Sequence, residues 1–327
     1  VPTPPLLTAL AAKASTAAHP GASSSTRACA CGPAAIATLA DRPDATVVRH
    51  GPAVAKAHAP DTDPAQLRSR VTTAARLPDV LLPPLDPTPE PFHGRLVTLW
   101  PYGTPVDPDD PDAAPWEAAA TLLARLHRTP APAAPLPAMR GPEKAARAVA
   151  RLTRLVIPAE GDHHPAAATA AVLRAWASLP AWARAEEPMP DATTLCHGDL
   201  HLGQLVRAPA SDTRWLLIDV DDLGVGVPAW DLARPAAWYA CGLLPPDEWT
   251  RFLTAYRTAA GPAVPATGDP WPALDVPARA LTVQAAAQAI AKAVAAGRPL
   301  DEVEQSLVDA CDRMATVPTE LARNSAK

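Results

Sequence analysis

The sequence predicts an α+β fold, with a small strand-bearing N-terminal region over 1–100 and a larger, mostly helical region over 101–327. Three observations carry this. Short extended segments fall within the first hundred residues, helical periodicity dominates the remainder of the chain, and one pair of apolar strands interrupts it near 204–219. Thr46-Val47-Val48-Arg49 and Ala53-Val54-Ala55-Lys56-Ala57 flank His50-Gly51-Pro52, which reads as a hairpin turn. Residues 64–77 read as a helix, with Asp63 as N-cap and Pro64 at the first helical position. A proline-punctuated stretch over 78–91 leads to a third strand, Arg95 to Trp100, ended by Pro101-Tyr102-Gly103. Beyond it, 115–128 sets Leu122, Leu123 and Leu126 on one helical face. Further helices are expected over 143–156, 166–182, 231–242, 247–260, 277–296 and 301–314, with Gly261 and Gly297 as stops. The strands 204–207 and 214–219 are the only sheet expected after residue 101.

A chain of 327 residues has ample material for a core, and its formal charge of −5 argues against a nucleic-acid partner while permitting a cationic ligand. The five cysteines are odd in number and scattered, which excludes a disulfide framework and suits a reducing cytoplasm. No apolar run approaches the roughly eighteen residues of a membrane span, and Val1-Pro-Thr-Pro-Pro5 lacks signal-type character. A cytoplasmic monomer or homodimer, with neither membrane nor nucleic acid as partner, is the expectation.

The chemistry lies in Cys196-His-Gly-Asp-Leu-His-Leu-Gly-Gln204, followed by the apolar run Leu216-Leu217-Ile218 and Asp219. The order is H-x-D, an amide residue five positions after the Asp, then a strand-ending Asp. It suits phosphoryl transfer, which needs a base, metal ligands and a cation fixed around one phosphate. Asp199 is the candidate base, and Gln204 and Asp219 are candidate magnesium ligands through hard oxygen atoms. His201 is placed either against a phosphate oxygen or in a structural role. Lys56, one of few lysines and set among small apolar residues, is the candidate phosphate contact. Asp221 and Asp222 are either metal or substrate contacts or solvated turn carboxylates. A glycine-rich loop is represented only by Gly21 to Thr26 and Cys31-Gly32-Pro33.

Together these residues resemble the aminoglycoside phosphotransferase and choline-kinase-like small-molecule kinases, which have a two-lobed protein-kinase-like fold. Ile218 to Ala233 (IDVDDLGVGVPAWDLA) looks like the family's I-D-x-x-x-x-G-x-G-x-P-x-x-D-L-A, and Ala124-Arg-Leu-His127 is a looser match. The resemblance implies ATP or GTP with Mg2+ as cofactors and a hydroxyl-bearing small molecule as acceptor. It places the adenine-binding hinge at Thr98, Leu99, Trp100 and Pro101, and gives Asp231 a role in capping a helix and bracing the catalytic loop. Where the family helix offers Glu to pair with the strand Lys, this chain reads Leu67-Arg-Ser-Arg70. Its H-G-D-L-H-L-G-Q loop is also similar to that of maltokinase-type sugar kinases.

The acidic balance favours an aminoglycoside, another antibiotic or an amino sugar as acceptor, with a maltokinase or glucosamine-kinase type of sugar kinase as the alternative. Asp222, Trp230 and Glu302 are the candidate substrate contacts, with Asp301 and Glu304 beside the last. Two other classes compete. A metal-dependent phosphoesterase would draw on Asp162-His163-His164, and a non-catalytic kinase-like binding protein would explain the missing helix Glu and the weak glycine loop.

Overall fold

The computed structural model of the chain describes residues 5–20, 36–132, 136–156, 166–209, 211 and 213–316. The glycine-loop candidates and Asp162-His163-His164 lie outside these residues. In chain order the elements begin with α1 (Leu6–Ala18), β1 (Ile36–Asp41), β2 (Thr46–His50), β3 (Ala53–Ala57), α2 (Pro64–Arg76), β4 (Asp86–Phe92), β5 (Arg95–Pro101) and β6 (Thr104–Pro105). Next come α3 (Trp116–Arg128), α4 (Gly141–Val156), α5 (Ala166–Ala177), β7 (Thr194–Cys196), β8 (Leu205–Arg207), β9 (Trp215–Leu217) and β10 (Gly224–Gly226). The chain then runs through α6 (Ala229–Ala240), α7 (Pro246–Thr258), α8 (Trp271–Ala295) and α9 (Glu302–Thr316). The fold is α+β, as the sequence predicts.

Two compact units divide the chain. The first takes the described residues of 1–115, 132–136 and 202–221, and the second takes those of 116–131, 137–201 and 222–327. The first unit is thus larger than a lobe ending at residue 100. The cause is pairing: β8 joins β6 and β9, and Leu217 on β9 exchanges hydrogen bonds with Val80 and Leu82.

The first unit is built on an antiparallel sheet of order β1-β2-β3-β5-β4. Leu10 and Ala14 of α1 pack with Val48, Ala55, Ala57 and Val97 on one face of it. β4 contains Pro87, Pro89 and Pro91, which the sequence offers as a loop signal. As an edge strand that pairs only β5, it tolerates residues that cannot donate to a ladder. Asp63 does cap α2, accepting the Gln66 N–H at 2.8 Å.

The second unit is helical around a core of Leu152, Val172, Val283, Ile290, Leu307 and Cys311, drawn from α4, α5, α8 and α9. Pro277, expected at a helix start, lies inside α8, where its ring forfeits one intrahelical hydrogen bond. The expectation of no further sheet after residue 101 is corrected by β6 and by the pair β7–β10. These are strands of two or three residues, and two of the three in β10 are glycine, so they have no periodicity to read. Among the described residues, no helix is long and apolar enough to cross a membrane.

Candidate active site

In the first unit, β3 carries Lys56 in register with Val47 of β2 and Thr98 of β5, which buries its stem. Its ammonium lies 2.7 Å from Asp219 Oδ1 and 2.9 Å from Asp221 Oδ2. Burial alone would lower its pKa, but the two carboxylates more than offset that and raise it, so Lys56 stays charged. Asp221 is held below the usual carboxylate range against the effect of burial, by Lys56 and then His58. His58 is buried, with Nδ1 3.0 Å from Asp221 Oδ1 and Nε2 2.8 Å from Thr98 Oγ1. Asp219 adopts φ 64°, a left-handed conformation that Asp tolerates better than most residues and that ends β9 sharply. Gln204 is buried, its carbonyl accepts the Ile218 N–H at 2.9 Å, and its Nε2 lies 3.5 Å from Asp219 Oδ2. One carboxamide and one carboxylate oxygen are donors that magnesium accepts, and a half-turn of the amide presents the oxygen instead of the nitrogen. The residues fit the ion.

In the second unit, Asp199 follows β7 through Gly198 at φ 86°. A Cβ at position 198 would collide with the carbonyl of Asp222, so only glycine permits this turn. Asp231 fixes the same turn from α6. Its buried carboxylate accepts the N–H groups of His197 at 2.6 Å and Gly198 at 2.7 Å, and pairs with His127 Nε2 at 2.9 Å. His127 Nδ1 in turn meets the Tyr256 hydroxyl at 2.7 Å. With both imidazole nitrogens committed, the buried group of His127, Cys196 and Asp231 is a brace rather than a metal centre. Asp231 sits inside the first turn of α6, so the expected helix-capping half of its role is not seen, while the bracing half is.

Both oxygens of Asp199 face cations. Lys144 Nζ on α4 is 2.5 Å from Oδ2, and Arg234 on α6 is 2.9 Å from Oδ1. Burial would raise the Asp199 pKa, but Lys144 and then Arg234 hold it below its ordinary value. Lys144 also reaches Asp222 at 2.8 Å, with Arg140 3.7 Å from the other oxygen of that carboxylate. Burial pushes His201 down to about 4, so it is neutral near pH 7 and is not the cation beside the base. Lys144 is.

The structure therefore brings Lys56, Gln204 and Asp219 together in one unit, and Asp199, His201 and Asp222 together in the other. The other expected site residues have the following surroundings. The Thr98 hydroxyl is occupied by His58 and by the Trp100 indole N–H at 2.8 Å, and the Leu99 carbonyl accepts Leu85 N–H at 2.8 Å. Thr98 and Leu99 lie within β5, and Trp100 lies near its end, paired with Val54 of β3. Trp230, offered as a substrate contact, is 3 % exposed and packs on Gly141 and Trp182. Other aromatics behave alike, with Tyr239 stacked on Trp249 and Trp271. Glu302 is exposed at the start of α9, and its neighbours serve that helix. The Asp301 side chain accepts the Glu304 N–H at 2.8 Å, and Glu304 binds Arg298 through both oxygens. Sequence reasoning missed Lys144, Arg140 and Arg234. Lysine scarcity was the one signal, and it points equally to Lys56 and Lys144.

Comparison with known proteins agrees with this geometry. The family model described as "Phosphotransferase enzyme family" matches residues 41–275. A choline/ethanolamine kinase family protein from Mesorhizobium loti is similar in structure, with TM-score 0.53 and 17 % identity over 98 % of each chain. Spectinomycin phosphotransferase, solved with ADP and spectinomycin, has TM-score 0.53 and 13 % identity, covering 89 % of this chain and 92 % of its own. Choline kinase from Cryptosporidium parvum Iowa II has TM-score 0.55 and 11 % identity, covering 88 % and 90 %. No curated protein sequence matches the chain. With its sheet unit, its helical unit and its braced H-G-D turn, the chain belongs to the phosphotransferase enzyme family, and it is a small-molecule kinase.

Proposed function

We propose that the chain transfers the terminal phosphoryl group of ATP or GTP to a hydroxyl of a small molecule. The observation that carries this reading is the placement of Asp199. It stands on a turn fixed by Asp231, with a pKa low enough to keep it ionised at any physiological pH. Asp199 accepts the acceptor's proton and orients its oxygen; a weak base suffices because bond formation lags in a loose phosphoryl-transfer transition state. Lys56 binds nucleotide phosphate. Gln204 and Asp219 hold magnesium, which neutralises phosphate charge when bound.

Between the aminoglycoside, antibiotic or amino-sugar class and the neutral-sugar class, the pairing of Lys144 favours the second. An ammonium-bearing acceptor needs carboxylates facing it, and those beside the base, Asp199 and Asp222, already face Lys144, Arg140 and Arg234. This supports an uncharged acceptor such as a sugar. A screen of hydroxyl compounds with both nucleotides, following phosphate transfer, tests the reading. Magnesium-dependent transfer that Asp199→Asn abolishes is the expected result, and no transfer to any compound together with no nucleotide hydrolysis overturns it.

A further inference from the structure

Lys56 has two carboxylate partners where one cation-binding task would need one. They differ in how they are held. Asp219 sits at a left-handed residue beside Gln204, whose amide lies 3.5 Å from Asp219 Oδ2. Asp221 is backed by a polar chain that runs into the sheet. The Trp100 indole donates to Thr98 Oγ1, Thr98 meets His58 Nε2, and His58 Nδ1 faces Asp221 Oδ1 at 3.0 Å. Both atoms are buried and make no hydrogen bond among the described residues, so their 3.0 Å approach is a charge–dipole contact. A ring carrying its proton on Nδ1 accepts from the Thr98 hydroxyl and turns its N–H edge toward the Asp221 carboxylate. α2, over Pro64–Arg76, contains no acidic residue that would serve Lys56.

We propose that Asp221, oriented by His58 and Thr98, is the resident counter-ion that positions Lys56 for nucleotide phosphate, leaving Asp219 free for the metal. This rests on the phosphotransfer reading. A buried ammonium that loses its only carboxylate is left uncompensated, so an Asp219 that turned to a cation would strand Lys56 unless a second carboxylate stayed behind. Asp221 is that carboxylate, and His58 holds it in place. Asp221 and His58 are positioning residues; neither is required to touch the reacting atoms.

The test is equilibrium binding of ADP, GDP, adenosine and guanosine to the whole chain, with and without Mg2+. Wild type should bind the better diphosphate more tightly than its nucleoside even without Mg2+, through Lys56. Asp221→Asn should weaken that diphosphate about tenfold without Mg2+, as breaking one side of a buried charge pair does, and leave the nucleoside unchanged. Asp219→Asn should keep the Mg2+-free preference and lose the enhancement by Mg2+. His58→Leu should weaken diphosphate binding in the wild-type background and add nothing to Asp221→Asn. If Asp221→Asn does not fold, Asp221→Glu keeps the charge at a shifted position and should lie between it and wild type. An unchanged diphosphate-to-nucleoside ratio in the Asp221 variants overturns the proposal. So does an Asp219→Asn protein that loses the Mg2+-free preference as fully as Asp221→Asn. Wild-type protein that binds neither diphosphate removes the phosphotransfer reading, and this proposal with it.

Discussion

The ammonium of Lys144 lies 2.5 Å from Oδ2 of Asp199, joining α4 to the turn that presents the proposed base. A carboxylate so paired is a poor proton acceptor in the ground state and a well-oriented one. Orientation matters more here, because phosphoryl transfer draws most of its rate from positioning and electrostatics.

Asp199→Asn tests that role directly. The amide keeps the size of the carboxylate and the turn stays braced by Asp231, so the variant should fold, with a thermal midpoint lowered only by loss of the pairing with Lys144 and Arg234. Turnover should fall by roughly two or more orders of magnitude, as loss of a positioned proton acceptor does. Steady-state kinetics with near-normal kcat would remove Asp199 from the chemistry.

Lys144→Met should appear in the pH profile. Lys144 is the largest influence lowering the Asp199 pKa against burial, so its removal lets that pKa rise. The acidic limb of kcat/KM, which needs Asp199 ionised, should therefore move to higher pH in the variant. The stability consequence has a matching sign. A depressed folded-state pKa stabilises the fold above the ordinary carboxylate range, and that share is lost as pH falls through the lowered value. The variant, with Arg234 still beside Asp199, should show a smaller acid-dependent loss. An acidic limb that stays in place or moves to lower pH contradicts the pairing.

The order of chemistry was legible in the sequence, and the neighbourhood of each group was not. The run from His197 to Gln204 and the strand ending at Asp219 follow from local spacing, which the chain writes in one stretch. Lys144 meets Asp199 across 55 residues, and Lys56 meets Asp219 across 163. Such pairings depend on packing that no local pattern encodes. Prolines mislead twice, in edge strand β4 and inside α8, because tertiary context tolerates residues that local preference rejects. The acidic group at Asp301–Glu304 suggests ligand binding by its charge alone, whereas its D-x-x-E spacing is that of a capping box.

At Gln204 the expectation is a graded one. If the carboxamide oxygen ligates magnesium, Gln204→Asn should retain substantial activity and Gln204→Leu should lose most of it. The magnesium concentration for half-maximal rate should rise in the same order. Equal activity and equal magnesium dependence in all three proteins would leave Gln204 as a contact of Asp219 alone.

Asp231 should register in stability before it registers in chemistry. It is 1 % exposed and satisfies two backbone N–H groups and His127. Asp231→Ala strands all three donors, at a cost of about 3–5 kcal/mol typical of breaking a buried charged pair. Urea denaturation should show it as a lower midpoint with an unchanged slope. A variant as stable as wild type would mean the turn at Gly198 holds itself.

The proposed preference for an uncharged acceptor rests on the pairing of Lys144. The acidic balance of the chain suggests carboxylates waiting for ammonium groups, yet Asp222 is paired with Lys144 and Arg140, Asp221 with Lys56, and Glu304 with Arg298. A polyamine entering beside Asp199 would meet three cations within reach of the two carboxylates there, and would have to displace one. An uncharged polyol meets hydrogen-bond donors and acceptors with no like-charge cost. The best acceptor in a hydroxyl-compound panel should therefore be neutral. Its KM should stay constant as ionic strength rises through about 0.1 M, where screening reaches roughly 10 Å. Lys144→Gln, which removes the cation from one oxygen each of Asp222 and Asp199, should shift preference toward an amino-substituted analogue of the same compound, chiefly through KM. A best acceptor that carries several ammonium groups, with a KM that climbs with salt, would show instead that Lys144 is displaced on binding and that the carboxylates are for the substrate after all.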